Sequence, residues 1–373
     1  MSKLSGYNDE IYTSVRASSL RGTLLSYSTL MDLVESKNIE ELVTRLQATI
    51  YQPQISNLQK PYSADKLEFA FRTHLADSHF NLMRVSPGGE LIRDYYYKYI
   101  VSNLKVALKG KALNRDFEEL LSRIDMHAEE LIGRRDLIVR VITASSLEDA
   151  GEMLKGGDFG EEVSASIKAY NQFKNIQLFD LHLDGAFLKR MMSALLRYKL
   201  LNLGDTELKP YRISSNLALD IVDVSPLLAL DIDLYNTLAV LRGKLWGLSP
   251  SEIRNLIVRP TFAVSYGLLN EMILSESSQE AIKMLNQTIY SELVPTTPLS
   301  DEDSLSYLDK GFLLLTCRRA HNMLMYGSLG SFNFAFAIIK LKEIEVRNLS
   351  AIAFGVEQGM SLENIRKKLV ILR

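Results

Sequence analysis

The chain has 373 residues, 47% of them hydrophobic, with 43 basic and 45 acidic side chains and a formal net charge of −2. That apolar fraction can build a sizeable core, and the near-neutral balance excludes a global field that would recruit nucleic acid. A single cysteine, Cys317, excludes an internal disulfide and a thiolate metal cage, and suits a reducing compartment. The opening MSKLSGYNDE lacks the apolar core of a secretory signal. No window approaches the run of about 20 apolar residues that crosses a bilayer. The expectation is a chain that is soluble, or held peripherally to something in the membrane.

Amphipathic helical spacing is common and strand-like alternation rare, so the chain reads as all-α. It opens with a helical run, SVRASSLRGTLLSYSTLMDLV, in which Leu20, Leu24, Leu25 and Leu30 approximate one face. Asn38–Tyr51 (NIEELVTRLQATIY) follows, with Asn38 three residues before Glu41 as a helix start. Loops are expected around Pro53–Pro61 and Pro87–Gly89. His74 and His79, five apart, do not share a helix face and fit no zinc pair. Tyr95, Tyr96, Tyr97 and Tyr99 read as packing of a helix. A helix half of the repeat follows at IVSNLKVALKGK, Ile100–Lys111.

Ser146–Phe159 (SLEDAGEMLKGGDF) repeats the helix start, with Ser146 three before Asp149. Expected loops follow at Gly156–Gly160 and Asn202–Ser215. Asp158-Phe159-Gly160 mimics a kinase triplet by chance, since no glycine-rich loop or catalytic loop accompanies it. Asp180, His182 and Asp184 lie in a region that looks helical. There, alternate residues do not share a face, so a solvated turn is preferred over a metal site. A third start follows at Ser278–Tyr290 (SQEAIKMLNQTIY), with Ser277 three before Glu280. A loop is expected at Pro295–Ser306.

The chain repeats itself. Asp233–Val258 returns without a gap as Glu345–Val370, 112 residues later. Asn236/Asn348, Gly243/Gly355, Gly247/Gly359, Ser249/Ser361, Ile253/Ile365 and Arg254/Arg366 coincide. A fainter copy places Asn103, Gly110 and Lys111 where Asn236, Gly243 and Lys244 sit. The two kinds of element alternate, which gives three tandem units: residues 1–113, 114–248 and 249–373. The middle unit carries extra material. Gly247 and Gly359 suit helix C-caps. Ser249-Pro250-Ser251-Glu252 reads as a capping box, and Ser361-Leu362-Glu363 as a less complete one. Asn103, Asn236 and Asn348 read as buried residues that set helix register. The tail IRKKLVILR either opens a fourth unit or closes a ring against the first.

Arg16, Arg21, Arg254, Arg259, Arg347 and Arg366 recur near helix ends. Each is weighed between carbonyl capping or ion pairing and contact with a partner. Arg254 and Arg366 belong to the repeated junction; Arg16, Arg21, Arg259 and Arg347 are the partner-contact candidates. No GxxxxGK[ST] phosphate loop, nucleophile motif or metal signature stands out, so no catalytic residue, metal or cofactor is expected. A peptide-binding helical adaptor is the alternative. Its two-helix repeats would recur every 34–47 residues or so, far closer than these copies.

YTSVRASSLRGTLL, LQATIY, NTLAVLRGKLWGLSPSEIRNLIV and KEIEVRNLSAIAFGVEQGMSLENIRKKLV, taken in order, resemble one family. It is the C subunit of archaeal- and bacterial-type rotary ATPases, the counterpart of the d subunit of vacuolar ATPases. The departures are Gly157-Asp158-Phe159, where the family pattern has Thr-Ile-Tyr, and loops of unusual length. The resemblance implies three helical domains as a funnel around a pseudo-threefold axis. It implies a non-catalytic socket on the cytoplasmic face of the membrane, joining the central stalk to the rotor ring of a proton- or sodium-driven machine. It implies torque transmission, and neither nucleic acid nor a small-molecule substrate of its own.

Overall fold

The computed structural model describes residue 15 and residues 18–84, 89–197, 224–326 and 332–372. Among these residues there are helices, turns and loops and no strand. The chain divides into two compact units, one of Met1–Ile92 with Leu313–Arg373 and one of Arg93–Phe312. The division falls inside two long helices, Gly89–Ala112 and Asp301–Tyr326.

In the first unit the helix Phe332–Glu357 is the centre. It packs along Ala64–Met83 and also against Tyr27–Val34, Ile39–Leu46 and Leu362–Lys368. Phe334, Ala335, Phe336, Ala337, Ile338 and Ile339 are all buried, so this stretch is apolar all round, as a central helix must be. The opening run is not one helix. It breaks after Arg21, and Ser26 caps a new helix, Tyr27–Val34, by accepting from the Thr29 N–H. The break has a use: Thr23 O and Leu25 N–H are spent on Lys342 and Glu345 of the central helix. The C-terminal tail closes against the N-terminal segment, with Leu362–Lys368 on Tyr27–Val34.

In the second unit the paired helices Asp136–Thr143 and Leu147–Leu154, and Gly160–Phe173 and Leu178–Arg197, pack in chain order. Asp136–Thr143 buries Leu137, Ile138, Val141 and Ile142, one stripe of an amphipathic helix. Val224–Leu245, Pro250–Leu256, Tyr266–Leu274 and Ser278–Lys283 follow, joined to Asp301–Tyr326 by two short 3-10 turns. Tyr95, Tyr96 and Tyr97 are buried.

Several loop expectations change. Gln52–Ser56 is a short helix, because Pro53 sits in its first turn, where its missing N–H costs nothing. The helix after Pro295 begins at Asp301, with Asp301, Glu302 and Asp303 in its first turn. Asp180, His182 and Asp184 lie within the helix Leu178–Arg197, not in a solvated turn. The expected loops at 87–88 and 202–215 lie outside the described residues.

Candidate functional site

The most repeated feature of the molecule is a helix–turn–helix junction, found at the ends of three long helices. Each long helix ends in a left-handed residue: Asn114 (φ 55°), Gly247 (φ 70°) and Gly359 (φ 60°). Beyond it, Arg115, Leu248 and Met360 donate back to Gly110 O, Gly243 O and Gly355 O at 2.9 Å each. This is a Schellman turn, which satisfies carbonyls that the helix end would strand. The turn requires positive φ, which glycine and asparagine tolerate better than other residues. The sequence motifs do not single out Asn114, although a signal for it exists. It lies 133 residues before Gly247, the offset already set by Asn103 and Asn236, and Asn is the usual alternative to Gly at this position.

Two residues later an N-cap begins the short helix. Asp116, Ser249 and Ser361 accept from the N–H of Glu119, Glu252 and Asn364. Of Ser249 and Ser361, Ser249 completes the reciprocal capping box, through Glu252; Ser361 has Asn364 in the corresponding place. The short helix then lies against the long one at a glycine. A Cβ on Gly243 would sit 2.6 Å from Ile253 Cγ1, and one on Gly355 2.6 Å from Ile365 Cγ1. On Gly110 it would collide with Leu120 Cδ2.

The asparagines close the junction. Asn236 Nδ2 donates to Val258 O at 3.0 Å while its Oδ1 accepts from Val258 N–H at 2.8 Å. Asn348 does the same with Val370, at 2.9 and 2.8 Å. Both partners lie 22 residues on, just past the short helix. Each side chain thus satisfies a buried backbone N–H and C=O that no secondary structure serves. Asn103 uses the same spacing differently. Its Nδ2 donates to Asp125 O at 2.6 Å and to Glu129 Oε1 at 2.8 Å.

One turn before two of the asparagines sits a buried acid. Asp233 accepts from Tyr290 OH at 2.6 Å and from the N–H groups of Ala263 and Val264. Burial pushes its carboxyl up to about 6 against the pull of those donors. Glu345 accepts from Tyr51 OH at 2.7 Å, from Lys342 at 2.8 Å and from Leu25 N–H. Burial, then the Glu345 charge, holds the Tyr51 phenol well above its ordinary value. At the remaining positions of the repeat both members of the pair are replaced: Ile100 stands for the acid and Phe159 for the tyrosine. There Asp158 is held between Arg134 Nη2 and Arg190 Nη1, and both guanidiniums lie over the Tyr97 ring. The Gly157-Asp158-Phe159 departure therefore exchanges a tyrosine–carboxyl bond for an arginine–aspartate cluster.

The remaining arginines are dispersed. Arg254 Nε donates to Asn270 Oδ1 at 3.0 Å, and Arg366 lies 3.5 Å from Glu35. Arg21 donates to Leu324 O at 3.1 Å. Arg259 lies 3.5 Å from the centroid of the Tyr266 ring. Arg347 is exposed on the helix Phe332–Glu357. Arg16 lies outside the described residues. Asp180 and Asp184, one helical turn apart, pair with Lys109 at 2.6 Å and Lys105 at 2.7 Å. The signal for that ladder was in the sequence as two matched i,i+4 pairs.

Among the described residues no three His, Cys, Asp or Glu side chains gather as a metal site, and no helix is long and apolar enough to cross a membrane. Burial pushes the Cys317 thiol up to about 11, away from thiolate chemistry. The geometry defines an all-helical protein whose repeated feature is a structural junction. The family model described as ATP synthase (C/AC39) subunit matches residues 13–368. The C subunit of the A-type ATP synthase of Methanocaldococcus jannaschii is 24% identical over 373 residues, covering 97% of this chain and 86% of that one. The protein of the same name from Pyrococcus abyssi is 25% identical over 364 residues, covering 97% and 90%. That of Haloferax volcanii is 24% identical over 383 residues, covering both chains fully. The chain belongs to the ATP synthase (C/AC39) subunit family, whose members are accessory, non-catalytic subunits, and the resemblance carried by its repeats holds.

Proposed function

We propose that this chain is the rotor-linker of a V/A-type rotary ATPase. It seats the central stalk on the membrane rotor ring and carries torque for ATP synthesis or ATP-driven proton or sodium transport. In this reading the three units, 1–113, 114–248 and 249–373, form a funnel around a pseudo-threefold axis on the cytoplasmic face of the membrane. The observation that carries it is the recurrence of one buried junction, at Asn103, Asn236 and Asn348, in a chain that its family matches almost end to end.

A torque carrier has to resist shear between its helices. An asparagine that bonds both groups of a backbone unit fixes the long helix to the segment beyond the short one, and buried polar matches of this kind specify register. Arg21, Arg259 and Arg347, with Arg16, are the proposed contacts to stalk or ring, where charge sets register and salt sensitivity more than raw affinity.

The test is co-elution on a sizing column with the detergent-solubilised rotor ring and, separately, with the central-stalk subunits. The expected result is one copy bound per ring and binding to the stalk, weakened by salt. Failure to bind either at low salt would overturn the rotor-linker reading and return the peptide-binding adaptor.

A further inference from the structure

The Asn103 junction contains a buried acid of a different kind from those at the other two. Glu129, on the short helix His127–Leu131, is 0% exposed. Its Oε1 accepts from Asn103 Nδ2, and its Oε2 is buried with no hydrogen-bond partner. The acids of the other two junctions are satisfied on both oxygens. Asp233 takes Tyr290 OH and Ala263 N–H on one and Val264 N–H on the other. Glu345 takes Tyr51 and Lys342 on one and Leu25 N–H on the other.

The charged groups that bear on Glu129 are both negative: Asp125 in the preceding turn and Glu130 on its own helix. Glu130 is itself paired with Arg135 at 3.0 Å. The long helix Gly89–Ala112 presents Asn103, a neutral donor already shared with Asp125 O. A carboxylate here would have only the Asn103 amide and its own backbone N–H to favour it, against full burial, one buried oxygen without a hydrogen-bond partner and two like charges beside it, so the neutral acid is the form that fits.

We propose that the turn and short helix from Asp125 to Gly133 form a pH-sensitive latch on the Asn103 junction, closed while Glu129 is a neutral carboxylic acid and loosened when it ionises. Burial pushes this carboxyl up to about 7, from an ordinary value of 4.5. A group whose value is raised on folding stabilises the closed form fully below its open-state value. That advantage is lost as pH climbs through its folded value. The sensitive window therefore runs from about pH 4.5 to pH 7, with a plateau above it.

Hydrogen exchange of the whole chain, read on peptides covering 125–134 and corrected for intrinsic exchange, tests this. In the wild type, opening of that segment rises by up to about tenfold per pH unit inside the window, so roughly fortyfold between pH 5 and pH 7, and then levels. Glu129→Gln, which mimics the neutral acid, holds the segment closed across the range. Glu129→Met is a second neutral variant should the glutamine perturb folding; a folded variant is recognised by unchanged helical circular dichroism. A flat wild-type profile overturns the latch, as does the same pH-dependent opening in both neutral variants.

Discussion

Asn236 and Asn348 carry more weight than their single side chains suggest, because each answers two backbone groups in a buried place. Removing the amide leaves an N–H and a C=O buried without partners, at about 1–3 kcal/mol for each. Asn236→Ala is therefore expected to lower unfolding stability in urea by about 2–6 kcal/mol. Arg366→Ala, which removes an exposed pair with Glu35, is expected to change it by less than about 1 kcal/mol. Equal effects from the two would contradict the clamp. The Asp233–Tyr290 bond makes a separate prediction. Since Asp233 is raised on folding to about 6, its share of stability is present below about pH 4 and is lost as pH climbs through 6. Tyr290→Phe removes a donor that holds that carboxyl down, so the falling limb of the stability–pH curve should move to higher pH. A limb left in place would mean that Asp233 is not the group titrating.

At the scale of the element, the close approach of the short helix decides what the glycines are for. Alanine is normally the better helix former by about 1 kcal/mol. Here a Cβ on Gly243 or Gly355 meets an isoleucine at 2.6 Å, so Gly243→Ala should destabilise by about 1–3 kcal/mol rather than stabilise. Gly247 differs: its φ of 70° is the constraint and no atom stands within 4 Å of its Cβ position. Gly247→Asn should then be milder than Gly247→Val in thermal denaturation, following the residue that naturally stands at Asn114. Much of this was legible beforehand. The helix starts at Asn38, Ser146 and Ser277 each cap the N–H three residues on, and the capping box at Ser249 is present. These are local signals, carried by neighbouring residues. What escaped was the non-local chemistry. Tyr51 finds Glu345 across 294 residues, with nothing in either neighbourhood to announce the partner. The break at Gly22–Ser26 belongs with this bond, since it is the distant Lys342 and Glu345 that consume the backbone groups.

For the whole molecule, the internal copies and the family match point to one job, while the differences between copies point to where the copies specialise. Two junctions lock an acid to a tyrosine, and the one at Asn103 replaces that lock with Arg134, Asp158 and Arg190 and with the latch at Glu129. Among the arginines, Arg347 is an exposed residue of the central helix of its unit, so Arg347→Glu should leave the melting temperature within about 1–2 °C while weakening assembly at moderate salt. Unchanged assembly would assign Arg347 to surface ion pairing alone. The central claim, that this protein couples the soluble motor to the ion-driven rotor, is tested most directly by ATP-driven ion uptake into vesicles holding the complex assembled with and without it. The account predicts ATP hydrolysis without ion uptake when the chain is left out, and uptake restored when it is added back. Full uptake in its absence would contradict the account.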